Sequence, residues 1–266
     1  MIIYKSAAEL EIMRQAGKIV ARVLAELEPL ARPGIRTRDL DLYAEKRCRE
    51  LGAVPAFKGY RGYPASVCIS VNEEIIHGIP SGRLIQEGDI VGLDFGVLFE
   101  DFYSDATITV PVGRVSDEAL KLIASARTAF FKGFEQLKEG GHVSDISAAV
   151  QRSVEADGYS IIRQFVGHGI GRSLHEDPQV PNFGASGRGP RLKSGMTLAI
   201  EPMIARGGCE VEILEDGWTA VTKDRSLSAH YEHTVALTED GAEILSAGPG
   251  QEARPRQPFL KERSYA

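Results

Sequence analysis

The sequence predicts an α+β fold made of two similar halves. The order of the predicted elements, two helices followed by strands, occurs twice along the chain. An offset of 107 residues also places Gly88 on Gly195 and Asp94 on Glu201, so each half has an acid six residues after a turn glycine. We therefore expect a pseudo-two-fold duplication of helix-helix-sheet halves, with helices outside an antiparallel-rich sheet and a central site between the halves.

The first half begins with two predicted helices. A capping box that starts at Ser6, followed by apolar residues every three or four positions, indicates a helix that ends near Pro29. Thr37 is the expected N-cap of the second helix, which Gly52 ends. Three strands should follow, over residues 67–71, 90–98 and 107–112. The last two strands should pair across an acidic, aromatic connection, with Glu100 and Asp101 at a solvated hairpin tip.

The second half repeats this order. Ser116 is expected to cap a long helix that reaches Lys138, and Ser144 to open another that ends at Gly158. Strands should follow again. Pro, Gly, Arg and Glu predominate from Gly248 onward. We expect a single domain over residues 1–247 and a flexible C-terminal tail over residues 248–266.

The composition excludes several classes of protein. The 266 residues are 43% hydrophobic and 26% charged, as in ordinary globular proteins. The net charge of -6 argues against DNA binding, because phosphate contacts need an excess of Lys and Arg. Neither a secretory signal nor a membrane-length apolar run is visible, so we expect a cytoplasmic protein without a membrane partner. Cys48, Cys68 and Cys209 lack the spacing of a metal site and are expected to be reduced.

A Gly-rich segment over residues 167–176 carries two histidines, His168 and His175. Its glycines allow close approach of the backbone to a bound group, so we expect a loop that brings His168 near a ligand. A histidine alone would more often have a packing or capping role. The acids elsewhere in the sequence favour the binding role.

Four acids interrupt strand-like apolar runs: Asp94, Asp105, Glu201 and Glu232. Each alone could be a solvated turn residue. A buried carboxylate without a partner costs on the order of several kcal/mol, so together they need basic side chains or metal cations. No Lys or Arg lies inside these runs, which favours cations. Carboxylates with one histidine suit a hard-to-borderline divalent metal rather than a thiophilic one. The four carboxylates and His168 together suit two such ions.

Several motifs occur in a fixed order along the chain. They are His77-Gly78-Ile79-Pro80, Asp94 and Asp105 eleven residues apart, Gly167-His168-Gly169-Ile170-Gly171, Ile200-Glu201-Pro202 and Tyr231-Glu232-His233-Thr234. With these motifs the chain resembles the type I methionine aminopeptidases, almost throughout and up to about residue 247. The resemblance implies the pita-bread fold. It also implies two metal sites, one held by Asp94, Asp105 and Glu232, the other by Asp105, His168, Glu201 and Glu232.

The same resemblance implies a reaction. Two divalent ions of cobalt, manganese, iron or zinc, which the sequence does not distinguish, would polarise the scissile carbonyl and activate a water. Glu201 would accept and shuttle the proton, His175 would stabilise the oxyanion and His77 would contact the following peptide nitrogen. The substrates would be N-termini of nascent polypeptides that begin with Met and continue with a small residue.

The family also places the methionine side chain in an apolar pocket. The corresponding residues here are Phe57, Tyr60, Tyr63, Cys68, Leu174 and Trp218. Phe57 stands where a cysteine is frequent, and Leu174 stands where a phenylalanine is frequent. We therefore expect the pocket in the usual place with an altered shape. Trp218 follows Asp216-Gly217 and should lie at a hairpin turn.

Two other functions fit parts of this pattern. A proline-specific aminopeptidase or dipeptidase would share the metal ligands, but it usually has a large N-terminal domain, whereas the first capping box here starts at Ser6. A catalytically silent binding protein of the same fold would normally have lost ligands, and none is missing. We expect a monomer, and any docking on the ribosome would use the surface of the catalytic domain itself.

Overall fold

The helices form two pairs, one in each half of the chain. The computed structural model describes residues 1–248. In these residues α1 spans Ala7–Leu27, α2 Thr37–Glu50, α3 Asp117–Phe134 and α4 Val143–Ala156, with short 3-10 helices at Glu28–Leu30 and Tyr60–Gly62. The predicted tail lies outside the described residues, apart from Gly248.

Two of the predicted helix starts are confirmed by the capping contacts. The Ser6 hydroxyl accepts a hydrogen bond from the amide of Glu9, whose carboxylate accepts one from the amide of Ser6, as in a capping box. The Ser116 hydroxyl accepts from the amide of Ala119 at the start of α3. That helix ends at Phe134, four residues before the predicted end at Lys138, because the chain turns away through local hydrogen bonds.

The predicted N-cap role of Thr37 is wrong, and Ser144, predicted to open α4, is not its N-cap either. Arg36 and His142 are the N-caps, and both hydroxyls lie inside the first helical turn. Each hydroxyl instead holds a distant loop. The Thr37 hydroxyl accepts from the amide of Ser81 and donates to its carbonyl, and the Ser144 hydroxyl makes the same two bonds with Arg188. The offset of 107 relates both pairs, so this tether is part of the duplication.

The strands are short outside one long hairpin. Their bounds are β1 Val54–Pro55, β2 Val67–Val71, β3 Glu74–Ile76, β4 Ile90–Phe99, β5 Phe102–Pro111, β6 Ser160–Ile161, β7 Gly167–Gly169, β8 Glu176–Val180, β9 Thr197–Ile200, β10 Met203–Ala205, β11 Val211–Ile213, β12 Ala220–Thr222, β13 Ser228–His230, β14 Glu232–Thr238 and β15 Gly241–Ile244.

Within residues 1–248 the strands form one nine-stranded sheet and two three-stranded sheets. The large sheet has the order β1-β4-β5-β14-β9-β7-β8, with β2 also paired to β4 and β15 to β14. The small sheets have the orders β13-β10-β6 and β11-β12-β3. Every pair of strands is antiparallel, which confirms the predicted kind of sheet. The β5–β14 pair joins the two halves of the chain.

The hairpin of β4 and β5 is longer than predicted. Pairing runs without interruption from Ile90 with Pro111 to Phe99 with Phe102. Glu100 and Asp101 form the two-residue tip with φ angles of 46° and 65°, which is the conformation of a tight hairpin turn. Residues 102–106, predicted as a connection, are therefore strand. The solvated tip itself is confirmed.

Each half has its own apolar core between its helices and the sheet. Phe95 of β4 is fully buried in a cluster with residues of α1 and α2, and Phe130 of α3 is fully buried in a cluster with residues of α4 and β9. Both cores lie on the helical side of the sheet. No helix among residues 1–248 has the length and apolar character needed to cross a membrane.

Gly17 marks the contact between α1 and the segment that follows β15. A Cβ atom at this position would lie 2.1 Å from the carbonyl oxygen of Leu245. Alanine is the better helix former by about 1 kcal/mol, yet we expect Gly17→Ala to lower the free energy of unfolding by about 1–3 kcal/mol, as overpacked cores do. Urea denaturation measures the change. Gly82→Ala is the matched control, since a Cβ there meets nothing within 4 Å. Equal stability of both variants would contradict this packing.

Candidate metal centre

Strand alternation points Asp94 away from the helical core. Leu93 and Phe95 of β4 are buried in the helix-side cluster, so Asp94 between them faces the other side of the sheet. Thr107 of β5 pairs with Asp94 on one side and with Glu232 of β14 on the other. Three neighbouring strands thus bring two acids to one place.

The second half adds the remaining predicted residues. His168 of β7 pairs with Ala199 of β9, and Glu201 follows the end of β9 directly. The Nε2 atom of His168 lies 3.5 Å from Oε1 of Glu201 and 3.7 Å from Oδ2 of Asp105. Single potential ligand atoms of Asp105, His168 and Glu232 all lie within 4.8 Å of one another. That separation suits coordination of one metal ion.

The cluster is deeply buried. Asp105, His168, Glu201 and Glu232 are 3–7% exposed. Burial and the neighbouring Asp105 raise the pKa of Asp94 to about 8, and burial raises the pKa of Asp105 to about 6. Burial and the same neighbouring acid also raise the pKa values of Glu201 and Glu232.

Two further observations show what is needed to balance these acids. The buried Oδ1 atom of Asp94 has no hydrogen-bond partner among residues 1–248. No Lys or Arg of the described chain forms an ion pair with any of the four carboxylates. Ionised carboxylates in such a place require cations, so the residues present fit divalent metal ions.

Hydroxyls and a carbonyl fix the orientation of the cluster. Thr107 donates to Oε2 of Glu232 at 2.7 Å, and the Thr234 hydroxyl lies 2.9 Å from Oδ1 of Asp105. The Nδ1 atom of His168 lies 2.9 Å from the carbonyl oxygen of Gly169, to which it can only donate. In the neutral ring this leaves the lone pair on Nε2 facing the acids. Such outer contacts commonly orient metal-binding side chains.

His77 and His175 lie beside the cluster. The ring of His175 lies 4.2 Å from that of His168, and its Nδ1 is 2.8 Å from the Tyr60 hydroxyl. His77 has a φ angle of 61°, with its ring edge-on to Phe165 and to Trp218. Burial lowers the pKa of both histidines to about 4, and a neighbouring imidazole adds to the shift, that of His175 for His77 and that of His168 for His175. Both rings are therefore neutral near pH 7.

One cavity of about 200 Å³ is lined by every residue predicted for the site. At its apolar end the Tyr63 ring meets the Trp218 ring edge-on at 5.1 Å, and Cys68 pairs with Asp94 across β2 and β4. Trp218 follows Gly217 in the hairpin of β11 and β12, as predicted. Phe57 lies against Gly96, where a Cβ atom would approach its ring to 2.8 Å. A glycine thus makes room for the unusual phenylalanine.

The Gly-rich segment differs from the prediction. Residues 167–169 are not a loop but the strand β7, between β8 and β9. A Cβ atom on Gly167 would lie 2.3 Å from the Ala199 carbonyl oxygen, and one on Gly169 would lie 2.1 Å from that of Asp177. These glycines allow the strands to pack closely, and this packing determines the position of His168. They do not serve contact of the backbone with a ligand.

Several residues of the site were not predicted. Arg61, Ile76, Phe165 and Val166 also line the cavity. His230 is 3% exposed, and its Nε2 atom lies 3.8 Å from Oε2 of Glu201 without a hydrogen-bond partner in the described part of the chain. Its position two residues before Glu232 was an available signal. No sequence signal identifies Phe165 and Val166, because only the fold brings them to the cavity.

The sequence and the fold are similar to those of known metallopeptidases. Metallopeptidase family M24 matches residues 11–239. A methionine aminopeptidase of Clostridium perfringens is 52% identical over 246 residues, which is 92% of this chain and 99% of that protein. The crystal structure of methionine aminopeptidase from Thermotoga maritima has a TM-score of 0.92 and 44% identity, and the match covers 93% of this chain and 100% of that one.

A more distant structure shares only the fold. Prolidase from Pyrococcus furiosus has a TM-score of 0.77 at 24% identity, over 92% of this chain and 66% of that one. These likenesses confirm the expected pita-bread fold. The family and the buried group of Asp105, His168 and Glu232 establish the use of a divalent metal. The chain therefore belongs to metallopeptidase family M24 and is a metal-dependent hydrolase.

Proposed function

We propose that the protein is a methionine aminopeptidase, which removes the N-terminal Met of nascent polypeptides when the second residue is small. The observation that carries this proposal is a cavity lined both by the buried acids and by apolar and aromatic side chains. Its volume of about 200 Å³ is below the roughly 300–1,000 Å³ of pockets for drug-sized ligands. Space of this size suits one enclosed side chain beside the metal centre.

We assign the five predicted ligands to two metal ions. Asp94, Asp105 and Glu232 would hold one ion, and Asp105, His168, Glu201 and Glu232 the other. The burial of the acids and the unpartnered Oδ1 of Asp94 support this assignment. When bound, divalent ions would polarise the scissile carbonyl and make an attacking water more acidic. Iron, manganese, cobalt and zinc all suit such ligands, and the availability of the metal selects among them.

The apolar end of the cavity would hold the thioether side chain. We assign this role to Phe57, Tyr60, Tyr63, Cys68, Leu174 and Trp218, which all line it. Aromatic rings and a thiol give favourable contacts to a flexible sulfur-containing chain. Since Cys68 pairs with Asp94, the amino end of the substrate would lie next to the Asp94 carboxylate. This arrangement explains removal of a terminal residue rather than cleavage inside a chain.

Three side chains would move or stabilise charge during the reaction. Glu201 would accept the proton of the attacking water and pass it to the leaving amine. His175, neutral near pH 7, would donate a hydrogen bond to the oxyanion. His77 would contact the peptide nitrogen after the scissile carbonyl. We further infer that residues 1–247 act as one catalytic domain, in the cytoplasm and as a monomer, and that any ribosome docking uses this domain's surface.

The ligand assignment predicts a loss of metal. We expect Asp105→Asn and Glu232→Gln to abolish turnover and to lower the metal content, because each removes a carboxylate assigned to both ions. Elemental analysis of the purified variants measures the metal directly. Asp101→Asn is the matched control: it removes an exposed carboxylate at the tip of the same hairpin and should leave metal and turnover unchanged. Normal metal stoichiometry in both site variants would refute the assignment.

The proposed role of His175 predicts a change in kcat. We expect His175→Ala to lower kcat about 100- to 1,000-fold, as for loss of a single oxyanion donor. Metal content should stay close to that of the wild type. Steady-state kinetics with a Met-Ala-Ser peptide measures this. An unchanged kcat with a raised KM would make His175 a residue that only binds the substrate.

The proposed specificity predicts a steep dependence on the second residue. A large second side chain would push the scissile carbonyl away from the metals, and a displacement near 1 Å can cost about 100-fold in rate. We expect rates for Met-X-Ser peptides to fall as X changes from Gly through Val and Leu to Arg. Ala-Pro-Ser and Leu-Pro-Ser should not be cleaved. Rapid release of Ala and Leu from these two peptides would establish a proline-specific enzyme instead.

A further inference from the structure

Tyr60 makes a contact that a pocket wall does not require. Its hydroxyl lies 2.8 Å from Nδ1 of His175, and the two rings stack with centroids 5.3 Å apart and an interplanar angle of 27°. The two residues are 115 positions apart and come from opposite halves of the chain. This hydrogen bond therefore connects the halves at the edge of the metal centre.

The backbone around Tyr60 is held in one conformation. The Tyr60 amide donates to the Phe57 carbonyl, and the Tyr63 amide donates to the Tyr60 carbonyl, each at 2.9 Å. Gly59 and Arg61 on either side have φ angles of 87° and 49°. The Arg61 guanidinium also lies over the Tyr60 ring, 5.5 Å from its centroid. These contacts fix the position of the hydroxyl.

The imidazole of His175 has far less support of its own. Among residues 1–248 the Tyr60 hydroxyl is the sole hydrogen-bond partner of the His175 ring. The ring centroid of His168 lies 4.2 Å from that of His175 at an interplanar angle of 45°, a contact that does not select a nitrogen. Without Tyr60 the ring could turn about its Cβ–Cγ bond and exchange its two nitrogens.

The chemistry of the pair determines where the proton of the imidazole lies. A phenol readily donates its hydrogen, and a neutral imidazole carries a hydrogen on only one nitrogen. When the Tyr60 hydroxyl donates to Nδ1, the N–H must be on Nε2. We propose that Tyr60 is a positioning residue, which holds His175 in the orientation and tautomer that present Nε2–H to the oxyanion. This inference rests on the role proposed above for His175.

The test is a double-mutant cycle with Tyr60→Phe, which keeps the ring and removes the hydroxyl. The loss of one such hydrogen bond corresponds to about 10-fold in rate. We expect Tyr60→Phe to lower kcat about 10-fold in the wild type, with KM for Met-Ala-Ser and metal content changed less than about twofold. In the His175→Ala background it should lower kcat no further. Tyr43→Phe, which loses a hydrogen bond to Glu26 on the outer helices, is the matched control and should leave kcat unchanged.

A second measurement reports on the imidazole itself. In the zinc-loaded protein labelled with ¹⁵N at histidine, the His175 signals should show an unprotonated Nδ1 and a protonated Nε2. In Tyr60→Phe they should shift to a mixture of tautomers. An unchanged kcat, a change in KM alone, an equal loss of kcat in both backgrounds or the same tautomer in both proteins would each overturn the proposal.

These outcomes separate the inference from the function on which it rests. If His175→Ala itself leaves kcat unchanged, the role proposed for His175 fails. If His175→Ala is impaired while Tyr60→Phe is not, only the positioning role of Tyr60 fails.

Discussion

The burial of four carboxylates in one place is the constraint on which the rest of the structure depends. Asp105, Glu201 and Glu232 are at most 5% exposed, and Asp94 has a buried oxygen without a partner. Their mutual repulsion and their lost hydration would oppose folding if they stayed ionised without cations. The raised pKa values of all four acids have the same cause, since burial disfavours the ionised form in each, and neighbouring charge adds to this for Asp94, Glu201 and Glu232. Metal binding and the stability of this fold are therefore coupled in the same residues.

The duplication explains how one chain can assemble such a cluster. Each half contributes an acid at the equivalent position, Asp94 within β4 and Glu201 directly after β9, and each half covers its strands with a helix pair. The hydroxyl tethers of Thr37 and Ser144 show that the repeat extends to single hydrogen bonds. Pairing of β5 with β14 then brings the two acidic faces together. Two independently packed cores thus hold the repulsive groups from opposite sides.

Much of this arrangement was predictable, because the signals were local or repeated. A capping box, turn glycines and acids inside apolar runs identified the helices, the duplication and the acidic cluster. The failures have a common cause in tertiary contacts. Thr37 was predicted to be a cap, but its hydroxyl binds Ser81. Gly167 was predicted to be part of a ligand-binding loop, but it packs against a neighbouring strand, where an added Cβ atom would lie 2.3 Å from a carbonyl oxygen. Phe165 reaches the cavity only through the fold.

The histidines complete the electrostatic argument. Burial lowers the pKa values of His77, His168 and His175 to about 4, so near pH 7 these rings add no positive charge beside the acids. Neutral imidazoles cannot balance the carboxylates, and the balance is left to the metal ions. Neutral rings can also remain close to bound cations without repulsion, and each can donate one hydrogen bond or supply one lone pair. The identity of the nitrogen that carries the hydrogen then decides what each ring can do. In His168 the Gly169 carbonyl accepts a hydrogen bond from Nδ1 and so places the hydrogen on that nitrogen. In His175 the only hydrogen-bonding group available within the described chain is the Tyr60 hydroxyl.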